Sequence, residues 1–210
     1  MSYIKTLSPE QADEPLKSVY DEILETRGKI AEVHKIQSLN PDALKAHMDL
    51  YLSTMFGKSP LKRYQREMIA VVVSSANRCE YCIHHHEQAL LAYWKDHERT
   101  RKLIESHTLD DLTEQEKGLC TLAKNLTLMP SDNNEKQIEA LREAGFSDRA
   151  ILDAVQIIAY FNFVNRMVLA LGVEFDDEEM KGYTYCFRSG IIEREIYRAF
   201  KIPAQPLLQK

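Results

Sequence analysis

The sequence predicts an all-α protein, and three observations support that prediction. Glycine accounts for only 7 of the 210 residues, about half of its usual share of about 7%. Apolar residues recur three or four positions apart along most of the chain, as they do on one face of a helix. No run of residues alternates between apolar and polar side chains over the length of a half-buried strand. The hydrophobic share of 44% and the charged share of 28% are those of a globular chain.

Charge and hydropathy exclude several classes of function. The formal net charge of −5 leaves no overall basic footprint for nucleic acid. No stretch approaches the roughly 18 consecutive apolar residues of a membrane helix, and the first residues lack the build of a secretory signal. We therefore expect a cytoplasmic protein that binds neither nucleic acid nor membrane.

Two helices are predicted in an N-terminal extension of about residues 1–58. The first follows Ser8-Pro9 and stops at Gly28, and the second begins at Asn40-Pro41 and stops at Gly57, because proline favours helix starts and glycine favours helix ends. Their apolar stripes are formed by Leu16, Val19, Tyr20, Ile23 and Leu24 in the first helix and by Leu44, Met48, Tyr51, Leu52 and Met55 in the second.

A helical hairpin is predicted over about residues 59–95, which we expect to be the core of the fold. Ser59-Pro60 signals the start of a helix that runs to about Ala76. Asn77-Arg78 is a plausible break, and a second helix follows from about Cys79 to Trp94.

The second helical half is predicted over about residues 108–175, after a short helix in the charged stretch 95–107. Thr113 and Glu116 form a capping box, Gly145 closes a short helix, and Ser147 caps a long apolar one. These signals place helices at about 114–128, 138–144 and 150–171. We expect residues 1–175 to form one domain, and residues 176–210, helical from about Ile191 to Phe200, to be a tail that packs on a neighbouring subunit.

The sequence Cys79-Glu80-Tyr81-Cys82 and the following His84-His85-His86 form the most informative segment. At about 100° per residue, Cys79, Cys82 and His86 fall within one narrow helix face, and His84 points away from it. In a chain that we expect to be cytoplasmic, a Cys-x-x-Cys pair indicates redox chemistry or metal binding.

Glu67 is predicted to meet His86 if the chain turns back at Asn77-Arg78. The midpoint of residues 67 and 86 is 76.5, almost at the proposed turn, and residues symmetric about the turn of a hairpin face each other. Glu67, His86 and Cys82 would then form a carboxylate–imidazole–thiol chain that removes the thiol proton. The helix start and Arg78 would further stabilise a thiolate.

These residues resemble a known family. Glu67, a Cys-x-x-Cys pair beginning twelve positions later and a histidine four positions after the second cysteine are similar to the AhpD-like alkylhydroperoxidase family of the carboxymuconolactone decarboxylase superfamily. The resemblance is nearest to its peroxidase-related branch, which has a similar N-terminal extension and segments like 141–148 and 160–166. It covers about residues 10–175.

The resemblance implies an AhpD-like helical bundle that forms homo-oligomers (dimers, trimers or hexamers). It also implies that Cys82 is the attacking thiol, that Cys79 resolves it, and that Glu67 and His86 relay the proton. Some family members have histidine where this chain has Tyr81, so a relay step that needs a second imidazole there is in doubt. The implied activity is reduction of a hydroperoxide or disulfide, with an unidentified thiol electron donor and without metal or organic cofactor.

Two alternatives stay open. One is a lyase of the carboxymuconolactone decarboxylase type, whose chemistry does not require a cysteine pair. The other is a non-enzymatic helical module stabilised by zinc bound to Cys79, Cys82, His86 and either His85 or Glu67. No second pair of cysteines or histidines suggests the other half of a structural zinc site.

Several further polar residues and cysteines have no clear role in the sequence. Cys120 lies among apolar residues and is expected to be a core side chain, and Cys186 receives no role. Asn162, Asn165 and Arg166 interrupt the long apolar helix. They are expected to line either the site, an oligomer seam or solvent, because buried polar groups need partners.

Overall fold

The structure, a computed structural model, describes residues 2–132 and 134–173. Within these residues every element of regular structure is helical, which confirms the all-α prediction. After a 3₁₀ turn at Pro9–Gln11 come α1 (Leu16–Arg27), α2 (Glu32–Lys35), α3 (Pro41–Phe56), α4 (Arg63–Ala76), α5 (Glu80–Trp94), α6 (His97–Ser106), α7 (Glu114–Leu128), α8 (Asn134–Glu143) and α9 (Asp148–Leu171). The predicted tail at 176–210 lies outside the described residues.

Most predicted helix ends are confirmed, but three starts differ. Helix α1 begins at Leu16 and not directly after Ser8-Pro9, α4 begins at Arg63, and α8 begins at Asn134 and not at about residue 138. Gly28 and Gly172 take the left-handed conformation after α1 and α9, with φ of 75° and 70°. The start signal at Ser59-Pro60 was wrong for α4, because residues 57–61 form an irregular loop and α4 begins only after Lys62, which is extended. Buried Arg66 accounts for this loop: its guanidinium donates to the carbonyls of Met55, Gly57 and Leu61 at 2.9, 2.8 and 3.1 Å.

The described residues divide into two compact units, of which the first comprises residues 2–50 and residue 173. In this unit the Tyr20 hydroxyl donates to the Leu7 carbonyl at 2.8 Å, and the Leu7 N–H donates to Ser38 Oγ at 2.9 Å. These bonds fasten the N-terminal segment to buried Tyr20 and Ser38. His47 is buried beside Gln37.

The second unit comprises the described residues from Tyr51 to Gly172, and α4 is its centre. Every residue of α4 from Gln65 to Ser74 is buried, because α5, α6, α7 and α9 pack around it. The apolar residues Leu52 and Met55 of α3 are also buried in this unit.

The long helix α9 forms one wall of this second unit. Within the described residues it alone is long and apolar enough to cross a membrane by length and composition. Its apolar side chains Ala154, Ile157, Ile158 and Phe161 are instead buried where α9 packs on α4, α7 and α8. A core helix with this composition meets the same criterion, so the length of α9 does not indicate a membrane protein.

The predicted break at Asn77-Arg78 is the turn that joins α4 to α5. Arg78 adopts φ of 57°, in the left-handed region that non-glycine residues rarely occupy. The N–H groups of Asn77 and Cys79 donate to the carbonyls of Val73 and Ser74 at 3.0 and 2.9 Å. The turn therefore satisfies the end of α4 while it reverses the chain, and it places α5 against α4.

Candidate active site

Glu67 and His86 are brought together across the α4–α5 hairpin. Glu67 Oε2 lies 2.6 Å from His86 Nδ1, and the Glu67 side chain is 1% exposed. A carboxylate can only accept, so this contact places a proton on Nδ1 and leaves Nε2 as the other functional atom of the ring. The contact between residues 67 and 86 agrees with the hairpin symmetry.

Arg63 holds the second oxygen of Glu67, and it was not among the residues predicted for the site. Its Nη1 lies 2.5 Å from Glu67 Oε1, one helical turn earlier on α4. The guanidinium lies over the ring of Phe56, 4.2 Å from its centroid. An arginine four residues before a glutamate is a recognisable helical ion pair, so the spacing was visible in the sequence. Only the burial of Glu67 makes this ion pair important for the site.

The pKa of Glu67 is set by opposing effects. Burial raises the pKa of this carboxyl, but the positive charge of Arg63 and the contact with His86 lower it more, so that the pKa lies below its ordinary value. Glu67 is therefore ionised near neutral pH. It can orient the imidazole and stabilise a positive charge on it.

Aromatic side chains of α9 fix the orientation of the His86 ring. Phe161 meets it edge to face, with 4.5 Å between the ring centroids and 81° between the planes. Tyr160 packs on Phe161 in the same manner at 5.0 Å. With Glu67 holding Nδ1, His86 has little rotational freedom, and 12% of its side chain is exposed.

Cys79 and Cys82 form a reduced and buried pair of thiols. Their Sγ atoms are 3.1 Å apart, within hydrogen-bond distance, and both cysteines are free. Cys79 is the residue that caps the start of α5, and Cys82 lies in the first turn. The sequence placed both in the helix, whereas the structure places Cys79 just before it. Cys82 and His86 lie one turn apart on α5.

The contact between the two thiols moves their pKa values apart. The hydrogen bond from the Cys82 thiol lowers the pKa of Cys79, and the backbone N–H of Cys82 adds to this effect against burial. The hydrogen bond to Cys79 and burial raise the pKa of Cys82 well above its usual range. When the pair loses one proton, Cys79 is therefore the sulfur that ionises first, and the Cys82 thiol then donates to it.

Asn165 of α9 is a further polar residue at the cysteine pair. It is completely buried, its Nδ2 donates to Ser74 Oγ at 3.3 Å, and its Oδ1 accepts from Asn77 Nδ2 at 3.0 Å. The Asn165 side chain also hydrogen-bonds to Cys82 and lowers the pKa of that thiol, against the stronger raising effects. Of the three roles left open for this residue, the structure supports the one at the site.

The other two polar residues of α9 belong to the edge of the same network. Asn162 donates to Thr127 Oγ1 at 3.0 Å and accepts from Asn77 Nδ2 at 3.0 Å. Arg166 Nη1 donates to Asn162 Oδ1 at 2.6 Å from an exposed position. Asn77 therefore links Asn162 and Asn165 to the turn that carries Cys79.

The two histidines that precede His86 in the chain, His84 and His85, have other partners. His85 is buried, with Nδ1 2.7 Å from the Tyr81 carbonyl and its ring 4.3 Å from that of Tyr81. His84 is partly exposed, 3.6 Å from Glu87. Within the described residues, no group of three or more histidine, cysteine, aspartate or glutamate side chains is arranged to hold a metal ion. The ligands named for a zinc site thus do not converge.

Cys120 is a buried core residue of α7, as the sequence indicated. Burial raises the pKa of its thiol to about 12, and a thiol of that pKa is a poor nucleophile near neutral pH. Cys186 lies outside the described residues.

Comparison with known proteins agrees with this architecture. The family model described as the carboxymuconolactone decarboxylase family matches residues 41–124, a range that includes Glu67, Cys79, Cys82 and His86. The uncharacterized protein YdfG of Bacillus subtilis (strain 168) is 27% identical over 132 residues, which are 63% of this chain and 88% of that protein.

Two solved structures share most of the fold. The first is an uncharacterized peroxidase-related protein from Ralstonia eutropha JMP134, described as an alkylhydroperoxidase AhpD core. It is 26% identical with a TM-score of 0.76, covering 87% of this chain and 96% of that chain. The second is an uncharacterized peroxidase-related protein from Silicibacter sp. TM1040. It is 28% identical with a TM-score of 0.72, covering 86% of this chain and 99% of that chain.

Proposed function

Because this chain belongs to the superfamily of AhpD-like and carboxymuconolactone decarboxylase proteins, we propose that it is a thiol-dependent peroxidase. In this proposal Cys82 and Cys79 reduce a hydroperoxide, and Glu67 and His86 relay the proton. The observation that carries the proposal is the pairing of buried Glu67 with His86 at 2.6 Å, one helical turn from a reduced cysteine pair 3.1 Å apart. A carboxylate-oriented imidazole beside two thiols is the arrangement that thiolate chemistry requires.

The first step oxidises Cys82. The proton shared by the two sulfurs moves to Cys79, and the Cys82 thiolate attacks the terminal oxygen of the hydroperoxide. The S–O bond forms as the O–O bond breaks, which gives a sulfenic acid and an alkoxide. The alkoxide takes a proton from Cys79 through His86 and leaves as the alcohol, so that Cys79 becomes a thiolate.

The second step closes the disulfide. The Cys79 thiolate attacks the Cys82 sulfur, the S–S bond forms and the S–O bond breaks. The hydroxide that leaves takes a proton delivered from solvent through His86 and becomes water. A dithiol or two monothiols then return the pair to the reduced state by thiol–disulfide exchange, and a disulfide substrate would enter by the same exchange. No metal or organic cofactor takes part.

Thiol counting tests the proposal. The chain has four cysteines, and one equivalent of hydroperoxide should remove two thiols per chain as one equivalent of alcohol forms. Cys82→Ser should abolish the reaction, whereas Cys79→Ser should stop at a sulfenic acid. Cys120→Ser is the matched control and should behave as the wild-type protein, because that thiol is buried and its pKa is raised. Hydroperoxide consumption by Cys82→Ser at the unchanged rate would overturn the assignment.

Two further measurements separate the alternatives. A zinc-stabilised module would carry about one equivalent of zinc after purification and would lose its fold with a chelator. A lyase of the decarboxylase type would act on a lactone carboxylic acid with both cysteines replaced by serine, because no step of that reaction needs a thiol. We further propose that the protein works in the cytoplasm as a homo-oligomer, where cellular thiols can supply its electrons.

A further inference from the structure

We propose that Asn165 is the donor that stabilises the negative charge on Cys82 when the proton of the thiol pair moves to Cys79. The inference deepens the proposed function and rests on it for its catalytic meaning, since Cys82 must be the thiolate when it attacks. Asn165 is 91 positions from Ser74 and 88 from Asn77, and it enters the site only because α9 packs on α4.

The hydrogen bonds of Asn165 determine which way its carboxamide points. Its Oδ1 accepts from Asn77 Nδ2 at 3.0 Å, so Nδ2 must lie on the other side of the group. One N–H of Nδ2 donates a hydrogen bond to Ser74 Oγ at 3.3 Å. A carboxamide nitrogen has two N–H groups, and the second is available to the Cys82 sulfur with which Asn165 hydrogen-bonds.

The two sulfurs have different sources of stabilisation for a negative charge. Cys79 stands at the cap of α5 and takes the backbone N–H of Cys82, so the helix itself supports a thiolate there. Cys82 lies inside the first turn and depends on a side chain for its donor. Without such a donor the transfer of the proton from Cys82 to Cys79 would be less favourable, and the Cys82 thiolate would form less often.

An amide suits this position because it donates at every pH and carries no charge. A lysine or arginine in its place would need a counter-ion in the buried centre of the unit. Donation from Asn165 also leaves His86 free to pair with Glu67 through Nδ1 and to move protons through Nε2. Asn165 touches the reacting sulfur, and Ser74 and Asn77 are positioning residues that hold it.

The test measures how alkylation divides between the two sulfurs, without any peroxide. A trace of iodoacetamide is added to the reduced protein near neutral pH, and peptide mapping gives the ratio of label on Cys82 to label on Cys79. In Asn165→Ala this ratio should fall about ten-fold, since a hydrogen bond to a charged group is typically worth that factor or more. In a Cys79→Ser background, Asn165→Ala should also raise the measured pKa of Cys82.

Asn165→Asp provides a second variant in case alanine leaves a disruptive cavity. Aspartate is nearly isosteric and can still accept from Asn77, and the Ser74 hydroxyl can donate to it, so the fold should persist in circular dichroism and thermal unfolding. It offers the sulfur no N–H and adds a negative charge, so the Cys82 share should fall below that of the alanine variant.

Asn162→Ala is the matched control. It removes a second carboxamide of α9 that also accepts from Asn77. The other partners of Asn162 are Thr127 and Arg166. It should leave the labelling ratio unchanged. A folded Asn165→Ala or Asn165→Asp protein with an unchanged ratio would overturn the inference. That result is independent of peroxidase activity, because the labelling needs no oxidant.

Discussion

Glu67 and His86 stand 19 positions apart in the chain and 2.6 Å apart in the fold, joined from Oε2 to Nδ1. The second oxygen of Glu67 is held by Arg63 at 2.5 Å. This arrangement directs both carboxylate oxygens to cations or N–H donors in an environment almost without solvent. An imidazole held in this way keeps its proton on Nδ1, and its Nε2 stays available for the exchange of a proton with a thiol.

Glu67→Gln should slow alkylation of the cysteine pair near neutral pH. The amide has nearly the shape of the carboxylate but cannot stabilise a positive imidazole, so the thiols should titrate at higher pH. General-base assistance is worth about 10²–10⁴-fold. Because the start of α5 and Asn165 still support a thiolate, we expect a loss at the lower end of that range. The measurement is the pH dependence of the alkylation rate.

His86→Ala should lose at least as much reactivity as Glu67→Gln, and Glu87→Gln is the control, since its contact is with the partly exposed His84. A profile for Glu67→Gln that overlays the unchanged protein would show that the buried carboxylate has no role in the reactivity of the thiols.

Arg63→Met should move the acid limb of the same profile to higher pH. Burial raises the pKa of Glu67 and Arg63 is the strongest influence that lowers it, so removal of the guanidinium lets burial prevail. Glu67 would then take up its proton at higher pH and release its hold on His86. Methionine keeps the packing on Phe56, and Arg63→Lys should restore most of the original profile. An acid limb that stays in place in Arg63→Met would contradict this account.

His47 should make the protein lose stability as the pH falls from about 6.5 to about 4. Burial lowers the pKa of His47 from 6.5 to about 4, so between these values the unfolded chain binds a proton that the folded chain does not. Linkage then predicts a loss of about 2 kcal/mol on going from pH 7 to pH 5. The measurement is the free energy of unfolding in urea at both pH values.

His47→Gln should remove this part of the pH dependence, while the exposed His97→Gln should retain it. An equal drop in stability for the unchanged protein and for His47→Gln would mean that other groups cause the acid sensitivity.

The protein should have a mass in solution that is a multiple of 24.3 kDa. Leu128, Met129, Leu152 and Leu169 are each about half exposed on the single chain, and their burial against a second copy would remove apolar surface from water. Light scattering at micromolar concentration measures the mass directly. A mass near that of one chain would remove the prediction of a homo-oligomer.

The helices could be predicted from the sequence because their signals are local. The periodicity of apolar residues, the Thr113 and Ser147 caps and the terminal Gly28 and Gly172 each act within a few residues of the element that they define. The short α2 carried too few residues to show a period. The start of α4 was missed because Arg66 donates to the carbonyls of Met55, Gly57 and Leu61 and so shapes the loop before the helix. The start signal at Ser59-Pro60 does not reveal these contacts.

The candidate site likewise combines features that the sequence predicts with features that only the packing of the helices decides. By itself the sequence determined that Cys82 and His86 share one face of a helix and that Glu67 can meet His86, since a helix period and a hairpin turn are enough to align these residues. Only the tertiary structure decided that Glu67 is buried against Arg63 and that Asn165 reaches Cys82. Those contacts depend on the packing of α9 and α5 on α4, which joins residues up to 91 positions apart. No local pattern encodes such a distance, and burial, which gives each of these charges its pKa, exists only after the helices have packed.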